Sequence, residues 1–205
     1  MCPSYGGGPP DRGGIATEPA NLFAALPALE TERLLLRPSS TEDAADVFAY
    51  ARDPEVARHT TWEPHASIDD ARDFIATRLE RQARGEPAPW ALVLKIEGRV
   101  VGDCGFTSWV PRHNRAEIAY NLARPLWGRG LMPEAVRRAV AFGFEVIGCN
   151  RIEARCLPEN AASARVLEKA GMTCEGVIRE QMYVKGAYRS LRLYSILRRE
   201  WSPQP

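Results

Sequence analysis

No stretch of this 205-residue chain approaches the roughly 20 consecutive apolar residues that a membrane-crossing helix needs. The first residues lack the basic start and apolar stretch of a secretory signal. Charge of one sign is not in excess: 27 Lys and Arg stand against 26 Asp and Glu, for a net charge of +1. That balance argues against bulk electrostatic binding to nucleic acid or to a membrane surface. The cysteines are odd in number (Cys2, Cys104, Cys149, Cys156 and Cys174) and no Cys-x-x-Cys occurs. A zinc site or disulfide framework is therefore not expected, and reduced thiols in a cytoplasm are the simpler reading. The histidines His59, His65 and His113 show no metal-ligand spacing, so no metal is expected. There are no internal repeats.

With 45% hydrophobic residues, the chain suits one domain with a sizeable core. Residues 1–28 read as a flexible Gly/Pro-rich leader, 29–201 as the folded body and 202–205 as a tail. Within the leader, Asn21 to Leu29 is more apolar and docks either on the domain or on a partner chain. A short strand is expected at Leu34–Leu36, ended by Pro38. Ser40 or Thr41 caps a helix to about Ala51, and Ser67 caps a second that Gly85 ends. Strands Trp90–Ile96 and Val100–Trp109 form a hairpin over Glu97-Gly98-Arg99. A strand at Arg115–Ala123, a helix at Met132–Ile147, a strand at Arg151–Cys156 and a helix at Glu159–Ala170 follow. Strands at about 173–184 and 188–198 close the chain around Lys185-Gly186. This order predicts an α+β sheet with a central, right-handed, parallel strand–helix–strand crossover.

The most informative segment spans 117–147. Ile118, Tyr120 and Leu122 alternate as a strand, and Pro125 ends it. Gly128 and Gly130 allow a tight turn and close approach to a ligand. Pro133 suits the first turn of a helix, whose apolar face carries Val136, Ala139, Val140 and Gly143. Free N–H groups behind a glycine turn make an anion site, to which Arg129 adds a full charge. A ligand-free strand-to-helix connection is the other reading of the same turn. No Gly-Lys-Ser/Thr follows, and a third glycine is absent, which excludes a nucleoside-triphosphate loop and a dinucleotide fingerprint.

Trp127-Gly128-Arg129-Gly130-Leu131-Met132, with Asn160-Ala161-Ala162-Ser163 and Leu167-Glu168-Lys169-Ala170-Gly171-Met172 downstream, resembles the GNAT N-acetyltransferases. More narrowly it is similar to the RimJ/RimL branch, which acetylates protein N-terminal α-amines. The opening Glu30–Arg37, the Trp62-Glu63-Pro64 segment and the ending Leu193–Trp201 fit that branch too. The resemblance implies a mixed, mostly antiparallel sheet of about seven strands, with a splayed parallel pair in the middle and about four flanking helices. It also implies acetyl-coenzyme A as acyl donor. The diphosphate would lie on the amides from Gly128 through Arg129, Gly130 and Leu131 to Met132. The pantetheine arm would pair with Tyr120, Asn121 and Leu122, and an N–H near Asn121 or Leu122 would polarise the thioester carbonyl. Trp127 and Met132 stand where the wider family has Gln or Arg and Gly or Ala. Ser190 stands where the branch often has Asp. The wider family's tyrosine on the last helix has no counterpart in 159–171, leaving Ser163 as that helix's hydroxyl.

Glu117 is then the candidate base, acting through water, or else a solvated strand-end carboxylate paired with Arg115. Ser163 is the proton donor to the departing thiolate, or an ordinary small helix residue. Asn160 binds a pantetheine amide, caps its own helix, or does both. Arg165 reaches a cofactor phosphate or stays exposed, and Cys156 approaches the cofactor thiol or is plain core. Trp62 and Glu63 are assigned to the acceptor groove, flanked by His59 and His65. The acceptor is a protein or peptide N-terminus, a small amine such as an antibiotic or polyamine, or a modified peptide. An acyl-coenzyme A sensor without turnover is the non-enzyme reading, and the chain is a monomer or a homodimer.

Overall fold

Leu34 and Leu36 face one side of a short strand and Leu35 the other, and this alternation, repeated strand by strand, divides the apolar residues between two cores. The computed structural model describes residues 19–202. The chain runs through α1 (Pro19–Ala24), β1 (Leu29–Glu30), β2 (Leu34–Arg37), α2 (Ala44–Ala51), α3 (Pro54–Ala57) and α4 (Ile68–Ala83). It continues through β3 (Trp90–Leu94), β4 (Arg99–Val110), β5 (Arg115–Leu122), α5 (Leu131–Glu145) and β6 (Arg151–Cys156). Helix α6 (Ala161–Lys169) and the hairpin β7 (Thr173–Val184) and β8 (Ala187–Leu197) complete it. The sheet order is β1-β2-β3-β4-β5-β6-β8-β7. Every neighbouring pair is antiparallel except β5 and β6.

The α+β sheet with its central parallel pair is as expected from the sequence. One strand and two helices are additional. The strand β1 has two residues, α3 has four and α1 has six, all too short for periodicity to announce them. Helix α3 is set by its ends, with Pro54 in the first turn and the Asp53 side chain accepting from the Glu55 N–H at 3.0 Å. Phe23 and Leu26 bury in the main core, and the Trp90 indole donates to the Pro27 carbonyl at 2.8 Å, so the Asn21–Leu29 segment docks on its own domain. Residues 1–18 of the expected leader, and 203–205 of the expected tail, lie outside the described residues. Ser67 caps α4 in a reciprocal pair with Asp70, and Ser40 does the same with Asp43 over a short 3₁₀ turn before α2. The β7–β8 turn at Lys185 and Gly186 has φ values of +50° and +75°, the left-handed pair that matches strand twist.

Helix α5 lies so close to the sheet that a Cβ on Gly143 would meet Ile152 Cδ1 at 2.6 Å and Phe106 Cζ at 2.8 Å. That contact fixes where the start of α5 points. The parallel pairing of β5 with β6 covers only Arg115↔Arg151 through Ile118↔Ala154. Beyond it β5 follows β4 to Leu122, and β6 follows β8 to Cys156. The two strands part, as the resemblance implies, and α5 begins beside the gap.

The far edge carries an acid-sensitive lock. Glu175 on β7 takes both Arg151 guanidinium nitrogens at 2.6 Å and the Ser195 hydroxyl at 2.7 Å. The Arg151 bonds foremost, and then Ser195, hold its carboxyl down to about 2. A carboxyl depressed in the folded state adds stability above its unfolded value near 4.3, and loses it as pH falls. Urea midpoints are therefore expected to drop between about pH 4.5 and 2, and to drop less in Glu175→Gln. Parallel curves for the two proteins across that window would refute the lock.

Candidate active site

The gap between β5 and β6 opens into a cleft of about 440 Å³. Its floor is Tyr120, Asn121 and Leu122, one wall is the turn from Trp127 to Met132, and another is Asn160 to Ser163 with Arg165 and Val166. His59, expected beside the acceptor groove, does line the cleft, and with it come Glu55, Val56 and Thr60 from α3 and the loop after it, which the sequence did not foretell. All the residues expected to hold an acyl-coenzyme A line this cleft except Arg129, whose side chain is exposed beside it.

Gly128 and Gly130 sit at φ +77° and +78°, the region that costs a side chain about 1–2 kcal/mol. Nothing stands within 4 Å of where a Gly128 Cβ would be, so the backbone is open to a ligand there. Among the described residues the N–H groups of Gly128, Arg129 and Gly130 form no backbone hydrogen bond, and those of Leu131 and Met132 begin α5 without an intrahelical partner. Unpaired amides, a helix N-terminus and the cations Arg129 and Arg165 together suit a diphosphate. The turn is braced from a distance. Arg33 Nη1 donates to the Arg129 carbonyl at 2.9 Å, and Arg33 also clasps Glu134 through its N–H at 2.9 Å and its Nε at 2.7 Å. Burial raises the Glu134 carboxyl, but hydrogen bonds from Thr31 and then Arg33 outweigh it and hold the group below the usual carboxylate range. The Trp127 indole donates to the Leu122 carbonyl at 2.7 Å and ties the turn to the end of β5.

The Ala123 N–H bonds the Val101 carbonyl on β4 at 2.7 Å. In an antiparallel ladder these bonds alternate, so the Leu122 N–H turns away from β4 and into the gap. Of the two amides expected as carbonyl donors, Leu122 has this direction and Asn121 does not. The Asn121 side chain serves the opposite face of the sheet, where Nδ2 donates to Asp103 Oδ2 at 2.6 Å. Arg78 Nη2 donates to the same oxygen at 2.6 Å, with only 13% and 4% of the Arg78 and Asp103 side chains exposed. This buried pair anchors the strand that floors the cleft.

Ser163 stands at the head of the gap. Its N–H is received by Asn160 Oδ1 at 3.0 Å, so Asn160 does cap its own helix, and its amide nitrogen is left to reach a ligand. The Tyr120 hydroxyl lies 2.8 Å from Ser163 Oγ. Burial pushes the Tyr120 phenol up, against a smaller opposing effect of the Ser163 bond. Cys156 is buried in the main core, as one of its two readings held, and burial raises its thiol while Ser163 partly offsets this.

Other expected residues lie elsewhere. Glu117 is on the face opposite Tyr120, one pair before the strands part, and it does not line the cleft. Its ion pair is with Arg155 Nη1 at 3.1 Å, not with Arg115, which instead approaches Glu153 at 3.7 Å. The reason is registry: alternation brings Arg155 of the diverging β6 beside Glu117. Burial raises the Glu117 carboxyl, with Arg155 opposing. Trp62 is half-buried and packs on Phe74 and His65, against the smaller core that α2 and α4 share with the sheet. Glu63 is exposed and 3.9 Å from Lys185. Neither lines the cleft, because the α3 turn brings residues 55–60 to that wall instead. Ser190 Oγ accepts the Glu180 N–H at 3.1 Å, a backbone task inside the last hairpin.

Arg33, Arg78, Asp103 and the Tyr120–Ser163 contact carry no local signal in the sequence. Strand alternation places Tyr120 on the correct face, yet its partner is 43 residues away, and no local pattern announces that. Among the described residues no cluster of three or more His, Cys, Asp or Glu could hold a metal ion, and no helix is long and apolar enough to cross a membrane.

A family model described as an acetyltransferase (GNAT) domain matches residues 33–173. A relative from Bacillus licheniformis, an uncharacterized N-acetyltransferase called p20, is 34% identical over 177 residues, 86% of this chain and 99% of its own. A solved GNAT-family acetyltransferase from Bacillus anthracis superposes with a TM-score of 0.75 at 26% identity, over 84% of this chain and 99% of that one. The fold is shared, at 19% identity and a TM-score of 0.73, with RimL, a ribosomal L7/L12 α-N-protein acetyltransferase solved with coenzyme A; that match covers 83% of this chain and 98% of RimL. The cleft, the family match and these relatives agree: the chain belongs to the GNAT acetyltransferase family and is an N-acetyltransferase.

Proposed function

We propose that the chain transfers acetyl from acetyl-coenzyme A to a primary amine, and that this amine is the N-terminal α-amine of a protein or peptide. The observation that carries the reading is the gap between β5 and β6, with open amides at one end and the Ser163 hydroxyl at the other. The amides from Gly128 to Met132 hold the diphosphate, with Arg129 and Arg165 beside them. Tyr120, Asn121 and Leu122 lie along the pantetheine arm, with Asn160 across from them. When bound, the coenzyme supplies an activated acetyl thioester. The Leu122 N–H receives the charge that develops on the carbonyl oxygen, and Ser163 protonates the departing sulfur.

An α-amine titrates near 8 and a lysine near 10.4, so the α-amine reaches the neutral, attacking form with less help. Glu117 stands on the other face of β5, paired with Arg155 and outside the cleft, so it takes the amine proton through intervening water, its carboxyl raised by burial. Among the described residues Cys104, Cys149, Cys156 and Cys174 form no disulfide with one another, which suits a reducing cytoplasm. Peptides with free N-termini, polyamines and aminoglycosides, each offered with acetyl-coenzyme A, test the reading by thiol release. Release on peptides, abolished by blocking their N-termini, is expected. Release on polyamines alone would move the acceptor to the small-amine class, and binding without release on any acceptor would make the chain a sensor.

A further inference from the structure

The Tyr120 hydroxyl belongs to a strand, yet it reaches across the gap to the first turn of α6. It lies 2.8 Å from Ser163 Oγ and 3.2 Å from the Ser163 carbonyl. That carbonyl lies where the α6 ladder already employs it, and the hydroxyl contact is the shorter of the two. The phenol is half-buried beside the main core, while Ser163 itself lines the cleft. A serine hydroxyl has one hydrogen and rotates freely unless something fixes it. We infer that Tyr120 is a positioning residue: its phenolic hydrogen occupies a lone pair of Ser163 Oγ, so that the serine's own hydrogen is turned into the gap toward the sulfur of the leaving thiol.

This rests on the acetyl-transfer reading and goes beyond it, because it assigns the strand tyrosine a side-chain task. Ser163 gives its proton to sulfur as the carbon–sulfur bond breaks and its electron pair settles on sulfur. The amine's proton leaves through water to Glu117, and Ser163 regains its own from solvent once the thiol departs, so the protons balance. Tyr120 makes and breaks no covalent bond. Burial raises its phenol well above the ordinary value, so it stays protonated through the cycle and remains a donor. In a chain with no tyrosine on α6, the two hydroxyls share the work: one holds the direction and the other carries the proton.

Two measurements test this on full-length protein. The first follows the thiol of bound coenzyme A by its ultraviolet thiolate absorbance as pH is raised. On the wild type the bound thiol is expected to ionise at lower pH than free coenzyme A, because Ser163 donates to the thiolate. Tyr120→Phe should move the midpoint back toward the free value, and so should Ser163→Ala. The second is a double-mutant cycle in kcat. Tyr120→Phe should cost roughly tenfold in the wild type, the worth of one hydrogen bond, and nothing further in the Ser163→Ala background, because coupled residues are non-additive. KM for acetyl-coenzyme A should hold in both. If Tyr120→Phe leaves the thiol midpoint in place while Ser163→Ala moves it, or costs the same in both backgrounds, the assignment is overturned. If coenzyme A does not bind the wild type, it is the acetyl-transfer reading that fails.

Discussion

Replacing Arg78 by alanine is expected to cost about 3–5 kcal/mol of folding stability, because it strands a carboxylate in the sheet. Asp103 is 3% exposed, and its Oδ2 is shared by the Arg78 guanidinium and the Asn121 amide, both at 2.6 Å. Without Arg78 only the neutral amide remains, and a buried charge with one neutral donor is far costlier than a missing surface pair. Arg78 also lies 4.1 Å over the Phe74 ring, so its removal loses packing as well as charge. At this chain length the loss corresponds to roughly 6–20 °C in Tm. Asp103→Asn keeps an acceptor but leaves the Arg78 guanidinium, only 13% exposed, without its counter-charge, so it too should cost more than the loss of a surface pair. Urea unfolding of the three proteins checks this, and a cost below about 1 kcal/mol for Arg78→Ala would mean that the pair behaves as an exposed one. The effect should reach the cleft, because the same carboxylate holds Asn121 on the strand that forms its floor.

The second large effect is on chemistry. Ser163→Ala should lower kcat by roughly a hundredfold, the lower range for a positioned acid, while KM for acetyl-coenzyme A stays within about twofold. The serine is half-buried on the first turn of α6, and its N–H is already satisfied by Asn160. Alanine is the better helix former, so the fold should not suffer. Steady-state kinetics with a peptide acceptor decide the matter. A change confined to KM would make Ser163 a binding residue, and an unchanged kcat would remove it from the chemistry.

The parts of this protein that the sequence made legible are those written in local pattern. The serine caps of two helices, the Lys185-Gly186 hairpin, the alternation of Ile118, Tyr120 and Leu122, and the glycine turn before Pro133 each depend on residues a few places apart. The resemblance to acetyltransferases then supplied what spacing cannot, namely that the central strands separate. The remainder was hidden because it is made by contacts between distant segments. Arg33 clasps Glu134 at a separation of 101 residues, and Arg78 meets Asp103 at 25. Glu117 found Arg155 and not the nearer Arg115, which only the register of a parallel strand determines. Trp62 reads as part of the acceptor groove, yet it packs against Phe74 and His65, and four-residue α3 supplies the cleft wall in its place. Short helices carry too few residues to show a period, and charges choose partners in three dimensions.

In the proposed reaction, main-chain donors between Trp127 and Met132 grip a diphosphate and so aim a thioester at Ser163. Isothermal titration at low ionic strength, with coenzyme A and with pantetheine lacking the nucleotide diphosphate, tests it most directly. The expected result is one coenzyme A per chain, with pantetheine roughly a hundredfold weaker or more, the worth of two charge-assisted hydrogen bonds. No heat from coenzyme A, or equal affinity for the two ligands, would contradict it.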